Sequence, residues 1–256
     1  MKTALNQPVG TILLDIEGTT TPVPFVYQVL FPYARSHTAE FLAQYGSVPD
    51  IRQDLEALSQ QYRSDMQAGL APPALPNDDR PESLLGYIHW LIGRDSKCTA
   101  LKSLQGKIWE EGYRTGRLLG QVFDDVPSSF AQWHEEKIHI GIFSSGSVLA
   151  QKLLFAHTTA GDLTQYLSAY FDTKVGTKTD PRSYERIALA LKRAPDDIVF
   201  ISDLTRELDA AKTTGMAALL CERPGNLPQP ANTYRVIRSL AEVCAPTGKP
   251  PAALTR

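Results

Sequence analysis

Cysteine is scarce in this chain. The 256 residues hold three, Cys98, Cys221 and Cys244, an odd number spread far apart with no C-x-x-C pair. That pattern excludes a disulfide framework and a zinc knuckle, and three reduced thiols suit a cytoplasmic protein. Charge of one sign is also missing: 26 Lys+Arg face 28 Asp+Glu, a formal net charge of −2. Such a balance offers no electrostatic footprint for nucleic acid or a membrane surface, and neither is expected as a partner. Apolar runs such as 140–143 and 216–221 are far too short to cross a bilayer. The opening MKTALNQPVG has one Lys and no apolar stretch, so a signal peptide is not expected there. No G-x-x-x-x-G-K-[ST] stretch occurs, which excludes P-loop ATPase chemistry. The five histidines, His37, His89, His134, His139 and His157, lack metal-ligand spacing. Core or surface roles are expected for them, with His37 and His89 the two that could enter a site.

What is present is an ordinary globular composition, 43% hydrophobic and 21% charged. A chain of this size buries roughly 70–75% of its unfolded surface and needs no covalent staple. Three apolar segments share one shape. Residues 9–14 end at Asp15, 137–143 run into Ser144-Ser145-Gly146-Ser147, and 197–202 run into Asp203. Continuous apolar runs ending in polar residues suit buried strands of a parallel sheet. Right-handed crossovers bring the C-terminal ends of such strands to one edge, where ligands bind. Asp15, Ser144 and Asp203 are therefore expected side by side, with a further strand at 217–220 after a helix at 205–215. The fold class expected is α/β, a Rossmann-like parallel sheet.

Spacing points to an insertion. Asp15 and Ser144 are 129 residues apart, Ser144 and Asp203 only 59, whereas a βαβ unit needs about 30. The expected division is a catalytic core at 1–19 and 123–244, a helical insertion at 20–122 and a flexible tail at 245–256. Helical periodicity marks 28–45, 49–68, 82–93 and 97–113, with a Pro- and acid-rich loop at 71–81. Pro127 and Asp180-Pro181 mark helix starts.

Four clusters carry chemistry. In Asp15-Ile16-Glu17-Gly18-Thr19-Thr20, two carboxylates two residues apart can divide attack and cation binding from proton transfer, and Gly18 permits a sharp turn. Ser144 and Ser145 offer hydroxyls and backbone N–H groups to an anion, although Ser is also a preferred helix cap. Lys178 precedes the Asp180-Pro181 helix start and can meet a phosphate as a point charge, but Lys174 lies close by and spacing does not choose between them. Asp203 is placed to hold a hard cation such as Mg²⁺, which takes one or two carboxylates with water and phosphate oxygens. Glu207, four residues on, reads as a helix-surface or capping acid.

The order D-x-E, Ser, Lys, acid resembles the haloacid dehalogenase superfamily of phosphohydrolases, with a helical cap inserted after the first motif. The longer stretches 15–22, 108–113, 124–127, 144–147, 151–155 and 171–174 are similar to those of the acireductone synthases, the bifunctional enolase-phosphatases of methionine salvage. The likeness runs from about Ile12 to about Pro224 and departs in the 71–81 loop and the tail. It implies a phosphorylated small-molecule substrate, 2,3-diketo-5-methylthiopentyl-1-phosphate, enolised and then dephosphorylated. It further implies one Mg²⁺ per chain. Asp15 would be nucleophile and metal ligand. Glu17 would touch metal through its main-chain carbonyl and move protons with its side chain. Asp203 would be a second metal carboxylate, with Ser144, Ser145 and Lys178, rather than Lys174, on the substrate phosphate. Mg²⁺ and Lys178 would both favour ionised Asp15. Phe25, Tyr27, Trp109 and Tyr113 are candidates for the methylthio end, or packing residues of the insert. A generic phosphatase, a phosphomutase, a dehalogenase and a silent scaffold are the rivals; acids at 17 and 203 weigh against the dehalogenase, and Asp15 with Lys178 against the scaffold. One complete site per chain makes a monomer the default.

Overall fold

A computed structural model describes residues 9–78 and 80–243. The expected tail at 245–256, and Cys244 with it, lie outside the described residues. The chain divides into two compact units, one containing the described residues up to Val23 and from Gly120 onward, the other Pro24–Leu119.

The first unit is built on a six-stranded sheet: β1 (Thr11–Leu14), β2 (His139–Phe143), β3 (Ala169–Phe171), β4 (Ile198–Ser202), β5 (Ala217–Cys221) and β6 (Arg235–Ile237). The spatial order is β3-β2-β1-β4-β5-β6, and every pairing is parallel. All four residues of β1 are buried, as are all five of β4, which is why these strands read as unbroken apolar runs. Around Leu13 and Phe200 the core gathers Phe143, Tyr184, Ile187 and Leu208, each such apolar side chain contributing roughly 1.5–3 kcal/mol on full burial. β3 and β6 were not expected; each has three residues, too few for a pattern.

Register positions the site. Leu14 pairs with Ile142 on one side and Ile201 on the other, so Asp15 leaves the sheet level with Phe143 and Ser202. The Asp15 N–H still donates to the Ile201 carbonyl at 3.0 Å, and Ser144 N–H to the Phe171 carbonyl at 3.2 Å. Helices return along 126–135, 148–156, 181–191 and 205–213. Pro181 opens the third at its first turn, and Asp180 caps it by accepting from Arg182 N–H at 3.0 Å.

Residues 20–23 and 120–122 belong to this first unit. The N–H groups of Thr19, Thr20 and Thr21 all converge on the Ile16 carbonyl, and Phe123 N–H donates to the Thr20 carbonyl at 3.0 Å.

The second unit is helical, with long helices at 31–45, 49–67, 85–93 and 99–114. Its core takes Ile51, Leu55, Leu58, Tyr87, Leu91, Leu101, Leu104 and Ile108, positions three and four apart within each helix. The helix expected from residue 28 opens instead as a π-turn over Val26–Leu30. Pro32 has no N–H to give the α-helical ladder, Phe31 N–H reaches back to the Val26 carbonyl, and Trp109 Nε1 takes the Leu30 carbonyl at 2.9 Å. Among the described residues, no helix is long and apolar enough to cross a membrane.

Candidate active site

The first turn after β1 is tied to itself. Gly18 N–H donates to the Thr21 carbonyl at 2.8 Å, and Thr20 Oγ1 reaches the Asp15 and Ile16 carbonyls, both at 3.3 Å. Gly18 sits at φ +73°, and a Cβ there would stand 2.5 Å from Asp203 Oδ2. Only glycine gives both that backbone conformation and that close approach. The missing side chain is what brings the first acidic turn against the acid after β4.

Asp15 is 2% exposed. Its Oδ1 accepts from Ile16 N–H at 2.7 Å and from Lys178 Nζ at 2.5 Å. Lys178 also meets Glu207 Oε2 at 2.6 Å, and Ser202 Oγ donates to the same Glu207 oxygen at 2.9 Å. The lysine is fixed from behind as well: Tyr184 OH donates to its carbonyl at 2.7 Å, and the Tyr184 ring packs edge-on against Phe143 and Phe200. Lys178 is therefore the buried lysine of this edge, and Lys174 is exposed.

Glu207 overturns its sequence reading. It is 5% exposed and belongs to the ion cluster, not to the helix surface. The helix at 205–213 starts at once after β4, so its first turn faces the sheet edge, with Glu207 on the side that buries Ala210 and Ala211.

Charge is out of balance here. Glu17, Asp203 and Glu207 all act on Asp15, and Glu17 and Glu207 on Asp203, against the buried Lys178. Burial raises Asp15 well above the usual carboxylate range; Lys178 pulls it down, while Glu207, Glu17 and Asp203 push it up. Lys178 does favour ionised Asp15, as expected, but burial and three acids outweigh that one lysine. Asp203 is raised to about 6 by burial and by Glu207. Burial works against the charge on Lys178, but Asp15 and Glu207 outweigh it and hold the ammonium protonated.

That imbalance is the test of fit for a cation. Among the described residues no group of three or more His, Cys, Asp or Glu could hold a metal by itself. Two carboxylates, Asp15 and Asp203, flank the Gly18 turn instead. A hard cation that keeps much of its water needs no more than one or two carboxylates, and the surplus negative charge favours it.

The Ser144 side of the edge is built differently. Ser144 is buried, and its Oγ accepts from Gly146 N–H at 3.1 Å. Ser145 is half-buried beside it. The helix cap here is Ser147, whose Oγ accepts from Ala150 N–H at 3.2 Å, which leaves Ser144 and Ser145 in the loop before it. Gln151 was not foreseen. It is buried, and its Nε2 ties the Gly146 and Phe171 carbonyls at 2.9 and 2.8 Å, pinning this loop to the end of β3.

In the helical unit, Phe25 is buried and Trp109 and Tyr113 nearly so, while Tyr27 is exposed. Phe31 lies between Tyr27 and Trp109, edge-on to the first and stacked on the second. His37 Nδ1 pairs with the Tyr33 carbonyl at 2.9 Å and His89 Nε2 with the Arg35 carbonyl at 2.9 Å.

Comparison with known proteins agrees with this fold. A family model for haloacid dehalogenase-like hydrolase matches residues 9–215. "Enolase-phosphatase E1" of Synechococcus elongatus is 48% identical over 92% of this chain and 98% of its own length. The protein of that name from Drosophila melanogaster is 45% identical over 84% of each chain. Among solved structures, the UTR4 protein of Saccharomyces cerevisiae superposes with a TM-score of 0.74 at 34% identity, covering 90% of this chain and 98% of its own. A dehalogenase at 15% identity and a TM-score of 0.52 shares the fold alone. With a parallel sheet bearing Asp15, Lys178 and Asp203 along one edge, and relatives this similar over nearly their whole length, the chain is an enzyme of the haloacid dehalogenase-like hydrolases and belongs to their enolase-phosphatase family.

Proposed function

We propose that the sheet edge carries out both halves of the enolase-phosphatase reaction on 2,3-diketo-5-methylthiopentyl-1-phosphate, in methionine salvage. The observation that carries this is the buried Asp15–Lys178–Glu207 chain beside Asp203. In the first half, a proton leaves the carbon bearing the phosphate ester and the neighbouring carbonyl oxygen gains one, giving the enol. Glu17 is the acid placed to move it, being one methylene longer than Asp and able to reach carbon as well as the leaving oxygen. In the second half, an Asp15 carboxylate oxygen attacks phosphorus. The bond from phosphorus to the ester oxygen on C1 breaks, and Glu17 gives that oxygen its proton, releasing 1,2-dihydroxy-3-keto-5-methylthiopentene. Water then attacks the aspartyl-phosphate, Glu17 takes a proton from it, and phosphate leaves with Asp15 restored.

Lys178 holds phosphoryl charge, and Glu207 keeps Lys178 aimed at Asp15. Ser144 and Ser145 receive the remaining phosphate oxygens. One Mg²⁺ per chain would be held by the Asp15 and Asp203 carboxylates and the Glu17 main-chain carbonyl. Bound there, it would neutralise phosphoryl charge and acidify the C–H beside the dicarbonyl. The enzyme acts as a cytoplasmic monomer, with neither nucleic acid nor membrane as partner.

The test is an anaerobic time course with this substrate and Mg²⁺, recording enol absorbance and free phosphate together. Enol that rises before phosphate, with both lost in EDTA, is the expected result. Phosphate release confined to other esters would overturn the substrate assignment. Glu17→Asp should slow enolisation more than phosphate release; equal slowing would remove Glu17 from the first half.

A further inference from the structure

The stretch Arg223-Pro224-Gly225-Asn226 after β5 takes no part in the steps above, yet it reaches back to the first acidic turn twice. Asn226 Nδ2 donates to the Gly18 carbonyl at 2.9 Å and to the Cys221 carbonyl at 3.2 Å. Arg223 Nε donates to the Thr19 carbonyl at 3.2 Å. The rest of the guanidinium is anchored: Nη1 to the Arg238 carbonyl at 2.8 Å, Nη2 to Asp125 Oδ2 at 3.0 Å, and its face 4.5 Å over the Phe123 ring. Two consecutive carbonyls of the turn that carries Glu17 are thus held by a single segment.

Asn226 has a second feature. Its two carbonyl partners fix which end of the amide is the NH₂, because the reversed amide would face oxygen to oxygen twice. The Oδ1 is therefore directed elsewhere, and it is buried with no hydrogen-bond partner. A Cβ on Gly18 would stand 2.7 Å from that oxygen and 2.5 Å from Asp203 Oδ2. Two acceptors converge on the space beside Gly18, and a buried acceptor left without a donor is costly.

We propose that Asn226 is a positioning residue for the cation. Its NH₂ holds the Gly18–Thr19 peptide, and with it the turn that aims the Glu17 carbonyl. Its Oδ1 accepts a hydrogen bond from a water of the cation's shell beside Asp203. This rests on the cation reading given under the proposed function. Partners of this kind, one step removed from a metal, typically set affinity by about 10- to 100-fold.

The experiment is calorimetric titration of Mg²⁺ into the wild-type protein, Asn226→Ala, Asn226→Ser and Asp203→Asn, with Tm recorded in EDTA. Asn226→Ala should raise the Mg²⁺ Kd by at least about 10-fold. Saturating Mg²⁺ should restore most of kcat for phosphate release. Asn226→Ser, which keeps one hydroxyl, should fall between and serves if the alanine variant does not fold. A Kd within about twofold of wild type in the folded variants would overturn the proposal, however far Tm falls, since a purely structural amide moves stability and not metal affinity. A wild-type protein that binds no Mg²⁺, or an Asp203→Asn variant that binds it as tightly, would overturn the cation reading itself and this inference with it.

Discussion

Each unit of this protein holds a lysine bridging two carboxylates, and the two clusters differ in kind. In the helical unit, Lys107 meets Asp50 at 2.6 Å and Asp54 at 2.7 Å, with Ser103 adding a bond to Asp54. The Asp50 side chain is 70% exposed, so water screens its half of the cluster, while Lys107 and Asp54 are 16% and 12% exposed at the side chain. In the sheet unit, Lys178, Asp15 and Glu207 are 6%, 3% and 7% exposed at the side chain. Two more acids, Glu17 and Asp203, bear on Asp15. The first cluster joins two helices, 49–67 and 99–114. The second stores uncompensated negative charge at the end of a parallel sheet, where a cation and a phosphoryl group can use it. Paired geometry is common to both; surplus charge and burial separate a chemical site from a structural tie.

The sharpest way to break that contrast is at Asp15. Asp15→Asn should cut phosphate release by about 10⁴-fold or more, as loss of a nucleophile does. Its Tm should hold, because burial and three acids already disfavour the Asp15 charge and Lys178 keeps Glu207 as its partner. Lys178→Met comes next: removing one partner of a buried pair costs about 3–5 kcal/mol, and activity should fall with it. Its loss of Tm should shrink on acidification, as the stranded carboxylates take up protons. Glu207→Gln should lower kcat about tenfold with little change in Tm, since Gln still accepts from Lys178 but no longer matches its charge. A Glu207→Gln enzyme of wild-type kcat would leave Glu207 a bystander.

pH sharpens the comparison further. Asp203 titrates at about 6, against its ordinary 3.8. The folded protein therefore holds a proton there that the unfolded chain has lost, so this group favours folding below pH about 4 and loses that contribution as pH rises through about 6. A cation must displace the same proton. Mg²⁺ affinity should weaken by up to about tenfold for each pH unit below about 6, and titrations at stepped pH check it. The smallest effect on catalysis is expected at Lys107→Met, which should lower Tm by taking the cation from buried Asp54 but leave both reaction rates unchanged. An equal loss of activity there would erase the distinction between the clusters.

Much of the site was legible because its residues stand where strands end. Asp15, Ser144 and Asp203 each follow an apolar run, and parallel pairing carries them to one edge without further information. Glu207 was missed because an acid in a first helical turn ordinarily faces water and the helix dipole. The signal lay in its phase: residues 207, 210 and 211 share one face, and Ala210 and Ala211 mark that face as buried. Gln151, Tyr184 and Asn226 left no such mark. Each acts by bonding backbone carbonyls, and a carbonyl carries no sequence.

The account's central claim is that Asp15, buried and pressed by three acids, attacks phosphorus. Acid-quenching the enzyme during turnover and mapping phosphorylated peptides by mass spectrometry tests it most directly. A phosphoryl group on the Asp15 side chain, absent in Asp15→Asn and chased by excess unlabelled substrate, is the expected result. Phosphate release at full rate with no adduct on Asp15, or an adduct on another residue, would contradict it.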